Sequence, residues 1–326
     1  MAARRAGRFW QQPTGDLTGK TGVDTFANTF ANNILPPLLV MAASYLLDKA
    51  LGLDLRTLSR VCVYVFLPAL AAGSLLEAQV PAGEYGQIIA FELVLTALLG
   101  LVGWGVARLL RYDQKHTNLF LLSTLFTNCG NYGLAVVLYA FGQAGLARGL
   151  VFFIVNSLLL NTLGVYLASR GAFGVRESAL NVLRLPLIYA VLLALAVRAL
   201  GLAVPAPLMR AIDLPHDGAI PLAQFLLGAQ LARISRRVDL GFVGAATFFR
   251  LVVGAAMALA LSAAMGMTGL ARNASVIEAS MPTAITIAAL SMEFGTDSQE
   301  VGSIVFLSTL ASAVSLTLLL AWLGAG

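Results

Sequence analysis

Thr127-Asn128-Cys129-Gly130-Asn131-Tyr132-Gly133 and Glu278-Ala279-Ser280-Met281-Pro282-Thr283 interrupt two long apolar stretches of this 326-residue chain. Neither segment is good helix material. Two glycines and two asparagines weaken the first, and in the second a proline removes a backbone donor and clashes with the preceding turn. Their surroundings decide how this is read. The chain is 59% hydrophobic and 11% charged, with mean hydropathy +0.84, whereas a soluble domain has roughly 45–50% apolar and about 25% charged residues. A water-soluble globule, a disordered chain and a nucleic-acid binder are excluded. What remains is a polytopic membrane protein in which two helices are broken inside the bilayer.

A transmembrane helix needs about 20 apolar residues. Such stretches fall at 30–50, 57–77, 86–109, 117–142, 147–169, 182–202, 207–233, 241–266, 270–295 and 299–323. They are too long, and too apolar all round, for the alternating strands of a barrel of roughly ten residues each. The expected fold is therefore all-α, with ten spans. Residues 1–28 form a polar N-terminal tail without the apolar region of a signal peptide. Residues 29–170 make a first set of five spans, 171–181 a linker and 182–326 a second set. Five is odd, so the second set enters the membrane in the opposite sense, as two inverted repeats do in secondary transporters.

Orientation follows from the basic residues. Twelve Lys and Arg cluster around the loops after spans 1, 3, 5 and 7, against four around the even loops. Basic loops stay in the cytoplasm, which places the linker 171–181 inside and both termini outside a cell membrane. The net charge of +5 and pI near 9.5 have the same origin. The two cysteines and two histidines form no cluster of zinc-ligand spacing.

The two interruptions are the fourth span of each half. Matched breaks in corresponding helices are the best pointer in a sequence to a transporter's binding site. Each break leaves a half-helix whose free amides carry roughly half a positive charge. Two such ends facing the midplane suit an anion, most simply a carboxylate. Asn128, Asn131 and Thr283 add neutral hydrogen-bonding groups, and no cationic side chain is expected near either break. The alternative is that Gly130 and Gly133 serve helix packing and that Pro282 merely kinks its helix.

Glu278 lies four residues before Pro282, at the negative end of its half-helix. It reads either as a proton or cation site or as a neutral acid bonded to a neighbouring helix. Glu92 in span 3 reads as the latter. Arg250 is expected to snorkel from span 8 to the cytoplasmic interface. Asn156 and Asn161 of span 5 stand five apart and so do not share a helical face; one of them reads as facing the site, the alternative being hydrogen bonding between helices. Gln224 and Gln230 of span 7 either support an ion or form part of the cavity wall.

Several stretches together resemble the auxin efflux carrier family, which includes plant auxin exporters and bacterial malate or malonate permease-like proteins. They are ILPPLLV (34–40), VCVYVFLPAL (61–70), NCGNYGLA (128–135), FFIVNSLLLNTLGVYL (152–167), IPLAQFLLGAQL (220–231) and MPTAITIAALSMEFGTDSQEVGSIVFLSTLAS (281–312). Ala135 stands where the family usually has proline, so the first break rests on Gly130 and Gly133. The resemblance implies the fold of bile acid sodium symporters, with helices 4 and 9 broken and crossing. It also implies elevator movement of a transport domain against a scaffold, a substrate carboxylate at the crossing beside Asn128 and Pro282, and a homodimer.

The function expected is secondary active transport of small organic anions. No cofactor is expected. Coupling would be to a proton or sodium gradient, or to the membrane potential alone, since no nucleotide-binding loop is present. The expected partners are the anion and the lipid bilayer, with no nucleic acid. An enzyme is not expected, because no catalytic constellation lies in the spans. An anion channel or a transporter-like sensor is the alternative.

Overall fold

The computed structural model describes residues 22–77, 80–169, 185–234, 240–294 and 297–324. The linker 171–181 and most of the tail lie outside the described residues. The rest is helix after helix: α1 Gly22–Leu51, α2 Leu55–Glu77, α3 Ala82–Leu109, α4 Gln114–Leu125, α5 Cys129–Ala168, α6 Pro186–Ala199, α7 Ala206–Arg233, α8 Leu240–Ala264, α9 Gly269–Ala279, α10 Thr286–Glu293 and α11 Ser298–Trp322. α1 starts inside the stretch expected as tail, because residues 22–29 pack as helix against α11.

Local chemistry sets the ends. Asp54, Asp113 and Asp297 cap α2, α4 and α11, each accepting from backbone amides of the first turn. Such a cap satisfies donors that have no partner within the helix. Pro186 begins α6, where a missing amide costs nothing. Gly52 closes α1 with φ +62°, a left-handed conformation that favours glycine.

Among the described residues, six helices (α1, α2, α3, α5, α8 and α11) are long and apolar enough to cross a membrane. α5 has 40 residues and as one rod would measure about 60 Å, twice the roughly 30 Å of a bilayer core. It is two arms, joined where Gly142 takes φ +64° and ψ −164°. α7 runs unbroken for 28 residues through Pro215 and Pro221, including the polar stretch before 219. Leucines such as Leu46, Leu101, Leu109 and Leu193 are well exposed. That outer apolar surface belongs to lipid, not water.

Helix packing falls into two bodies. α7 packs on α1 and α2, with α6 on α2, and α3, α4, α5, α8, α9, α10 and α11 are joined by their own packing. Bonds tie each body internally. In the first, Arg233 holds Asp48 at 2.7 Å and Ser74 meets His216 at 3.1 Å. In the second, Arg148 holds Glu84 at 2.6 Å and Lys115 holds Asp297 at 3.3 Å. The bodies touch where α7 lies along residues 129–133, where the first part of α1 packs on α5 and α11, and where α2 packs on α5, and Arg198 reaches from one to the Tyr85 hydroxyl of the other at 3.4 Å.

Candidate functional site

The two interruptions meet. α4 stops at Leu125 and α5 starts at Cys129, while α9 stops at Ala279 and α10 starts at Thr286. Between them the chain leaves the helix, and Thr127 pairs with Thr283 in an isolated antiparallel bridge. Asn128 N donates to Pro282 O at 2.8 Å and Ala284 N donates to Phe126 O at 3.0 Å. Thr283 is closed off further, since its amide donates to Ser308 Oγ at 3.2 Å and its hydroxyl to Ser123 O at 2.7 Å. Unwound backbone at membrane depth must find such partners, and here each break supplies them to the other.

A cavity of about 620 Å³ lies beside the bridge. The first turns of α5 and α10 both line it, through Asn128, Gly130 and Asn131 on one side and Ile285 and Thr286 on the other. α2, α6 and α7 supply a mainly apolar opposite wall, including Val63, Leu187 and Leu226. Two half-helix amide ends thus open onto one space, each with its partial positive charge. Asn128 is 3% exposed, and its Nδ2 has no hydrogen-bond partner among the described residues. The amide is not spent on capping its own helix and stands in the cavity lining.

The expected site residues divide into two sets. Asn128, Gly130, Asn131, Asn156 and Gln230 line the cavity. Gly133, Pro282, Thr283, Glu278 and Gln224 are outside its lining. Pro282 and Thr283 build the bridge, and the Thr283 hydroxyl is already committed to Ser123. Gln224 is buried, and among the described residues its Nε2 and the Oε1 of Gln230 have no hydrogen-bond partner. Glu278 is fully buried, with neither carboxyl oxygen hydrogen-bonded among the described residues.

The readings of Arg250 and of the pair Asn156 and Asn161 change. Arg250 does not snorkel. It is 0% exposed, donates from Nη1 to Thr124 O at 2.6 Å and from Nη2 to Ala279 O, and so holds the ends of both α4 and α9. A cation does lie at the breaks. The signal was its depth, since ten residues into α8 is about 15 Å, half the bilayer core and beyond easy reach of the interface. Asn156 and Asn161 both line the cavity, and a π-turn follows at Leu160–Gly164. Glu92 bonds to a neighbouring helix, as its reading expects: its Oε1 accepts from Asn156 Nδ2 at 2.8 Å, and Cys129 Sγ donates to Asn156 Oδ1 at 3.4 Å.

Fold and site together define an all-helical, multi-pass membrane protein built around two interrupted helices. The chain matches the membrane transport protein family over residues 29–181 and 175–320. It is 30% identical over 292 residues to an uncharacterized transporter of Methanothermobacter thermautotrophicus, covering 87% of this chain and 95% of that one. It is 27% identical over 210 residues to an uncharacterized transporter of Methanocaldococcus jannaschii, covering 63% of this chain and 68% of the relative. The chain belongs to the membrane transport protein family, the auxin efflux carrier family of the sequence reading.

Proposed function

We propose that this protein is a secondary carrier of small organic anions, carboxylates of the dicarboxylate or auxin-like monocarboxylate kind. The observation that carries the reading is the convergence of the α5 and α10 amide ends, with the unpaired Asn128 amide, on one cavity of about 620 Å³. That volume falls in the range of roughly 300–1,000 Å³ typical of small-molecule sites, and a mainly apolar wall with a few convergent polar groups is their usual form. Asn128, Gly130 and Asn131 hold the carboxylate, and Asn156 orients it. Gly133, Pro282 and Thr283 shape the breaks. Glu278 is the proton or cation site, with Gln224 and Gln230 in support.

In this reading ten spans form two inverted repeats, 29–170 and 182–326. α4 with the first arm of α5 makes the fourth span, and α9 with α10 the ninth. The body of α1, α2, α6 and α7 is the scaffold, and the other body carries the site past it as an elevator. The separate internal ties of the two bodies support this division. Leu55, Arg233 and Ser298 line the cavity at helix ends on the face of the odd loops, so the cavity opens to the cytoplasm. Energy comes from a proton or sodium gradient or from the membrane potential, with no cofactor, in a cell membrane. The working unit is a homodimer.

Counterflow in proteoliposomes preloaded with malate, malonate, pyruvate or indole acetate tests the reading. Accumulation of labelled acid by wild type, lost in Asn128→Ala, is the expected result. Accumulation kept in Asn128→Ala moves the site elsewhere. Passive equilibration without exchange makes the protein a channel, and no movement of any acid leaves the sensor.

A further inference from the structure

Four half-helix ends meet at the breaks. The starts of α5 and α10 offer free amides, each worth about +0.5 charge, and the ends of α4 and α9 offer free carbonyls, each about −0.5. Left alone, the four ends cancel, and a cavity beside them has little preference for an anion. Arg250 removes the cancellation. One buried guanidinium donates to Thr124 O in the last turn of α4 and to Ala279 O at the end of α9. α8 is built to place it. Arg250 lies in a π-turn, Phe249–Val253. A Cβ on Gly254 would stand 2.9 Å from Nη2, so glycine there leaves the guanidinium its room. Facing Arg250 are Glu92 of α3 and Cys129 of α5, both within electrostatic reach. Glu92 is itself held by Asn156 and Thr96.

We propose that Arg250 is a positioning residue that sets the sign of the cavity. By capping the carbonyl ends of α4 and α9 it leaves the amide ends of α5 and α10 as the uncompensated charge facing the substrate. The proposal rests on the reading of this cavity as an anion site, but its test does not need transport.

Ser157 of α5 lines the cavity and is partly exposed. The probe is Ser157→Cys in a chain carrying Cys62→Ala and Cys129→Ala. The measurement is the ratio of its modification rates by an anionic sulfonatoethyl and a cationic trimethylammonioethyl methanethiosulfonate, normalised to a free thiol in solution. The expected result is a preference for the anionic reagent. That preference should fall on the order of tenfold or more in Arg250→Gln, because losing one charge in low dielectric acts on the two reagents in opposite directions. Arg250→Lys, which keeps the charge, should retain most of it. An unchanged ratio in Arg250→Gln overturns the proposal. Should Arg250→Gln fail to give monodisperse protein, the parent chain decides, and the absence of an anionic preference there overturns the proposal equally. Counterflow run in parallel separates the two ideas. A ratio that depends on Arg250 without anion exchange sinks the carrier reading and keeps this one, and exchange with an Arg250-independent ratio does the reverse.

Discussion

The Glu278 carboxyl fills the space that a Cβ on Gly133 would need, and its Oε1 lies 2.8 Å from where a Cβ on Gly149 would stand. Gly133 is in the first arm of α5 and Gly149 in the second, on either side of the Gly142 corner. The side chain of one broken helix is thus wedged between the two arms of the other. Two glycines spaced far apart in sequence are explained by one carboxyl.

Gly133→Ala is expected to lower stability by about 1–3 kcal/mol, the usual cost of overpacking. Glu278→Ala in the same chain should recover part of that loss, with a coupling of roughly 0.5–3 kcal/mol as for residues in contact. Thermal unfolding of both single variants and the double variant in detergent checks this. Strictly additive losses would show that the two residues do not share the space.

Gly228→Ala is expected to be at least as damaging and harder to rescue. A Cβ there meets the backbone of Met41, at its carbonyl oxygen and Cα, as well as Ser44 Oγ. Backbone cannot swing away as a side-chain end does, and small residues are what let helices approach this closely in a membrane. A loss of about 1–3 kcal/mol or more, unrelieved by Ser44→Ala, is the outcome to look for in the unfolding midpoint.

Glu92→Ala should raise the KM for anion exchange by roughly tenfold, since a buried hydrogen bond left unmade costs about 1–3 kcal/mol. The lost bond is the one that orients Asn156 at the cavity wall. Glu92→Gln keeps an acceptor oxygen for Asn156 and should lose much less. Equal losses in the two variants would point to the charge of Glu92 and not to its hold on Asn156.

Asp297 gives a pH dependence outside the spanning helices. Burial alone would raise its carboxyl, but the Glu300 amide and the Lys115 ammonium outweigh it and hold the group below its ordinary 3.8. A carboxylate held low in the folded state stabilises the fold above its unfolded value and loses that contribution as pH falls through the folded value. Asp297→Asn keeps a helix cap of similar strength and removes the charge. The partly exposed pair is expected to contribute a few tenths to about 1 kcal/mol. The midpoint difference between wild type and Asp297→Asn should therefore shrink between about pH 6 and about pH 3. A constant difference across that range would mean that the charge contributes nothing.

Much of this protein is legible in one dimension. Apolar composition requires a membrane, and the bilayer leaves the backbone few choices, so helices follow with edges close to those observed. Residues 127–133 and the stretch around Pro282 read as poor helix; the first unwinding falls at 126–128, with Gly130 and Gly133 inside the opening π-turn of α5, and the cavity does gather Asn128, Gly130, Asn131, Asn156 and Gln230. These features depend on local propensity and on the solvent, which act residue by residue.

What only the tertiary structure decided is which groups meet. Thr283 reads as a ligand but spends its hydroxyl on Ser123, 160 residues away in sequence. Arg250 reads as a snorkelling cation, yet it bonds two carbonyls at Thr124 and Ala279. Asn161 reads as facing away from Asn156, yet both line one cavity. Each of these depends on the partner across the interface. A buried polar group takes its role from whatever satisfies it, and that partner is set by the crossing of helices distant in sequence, which periodicity and spacing do not encode.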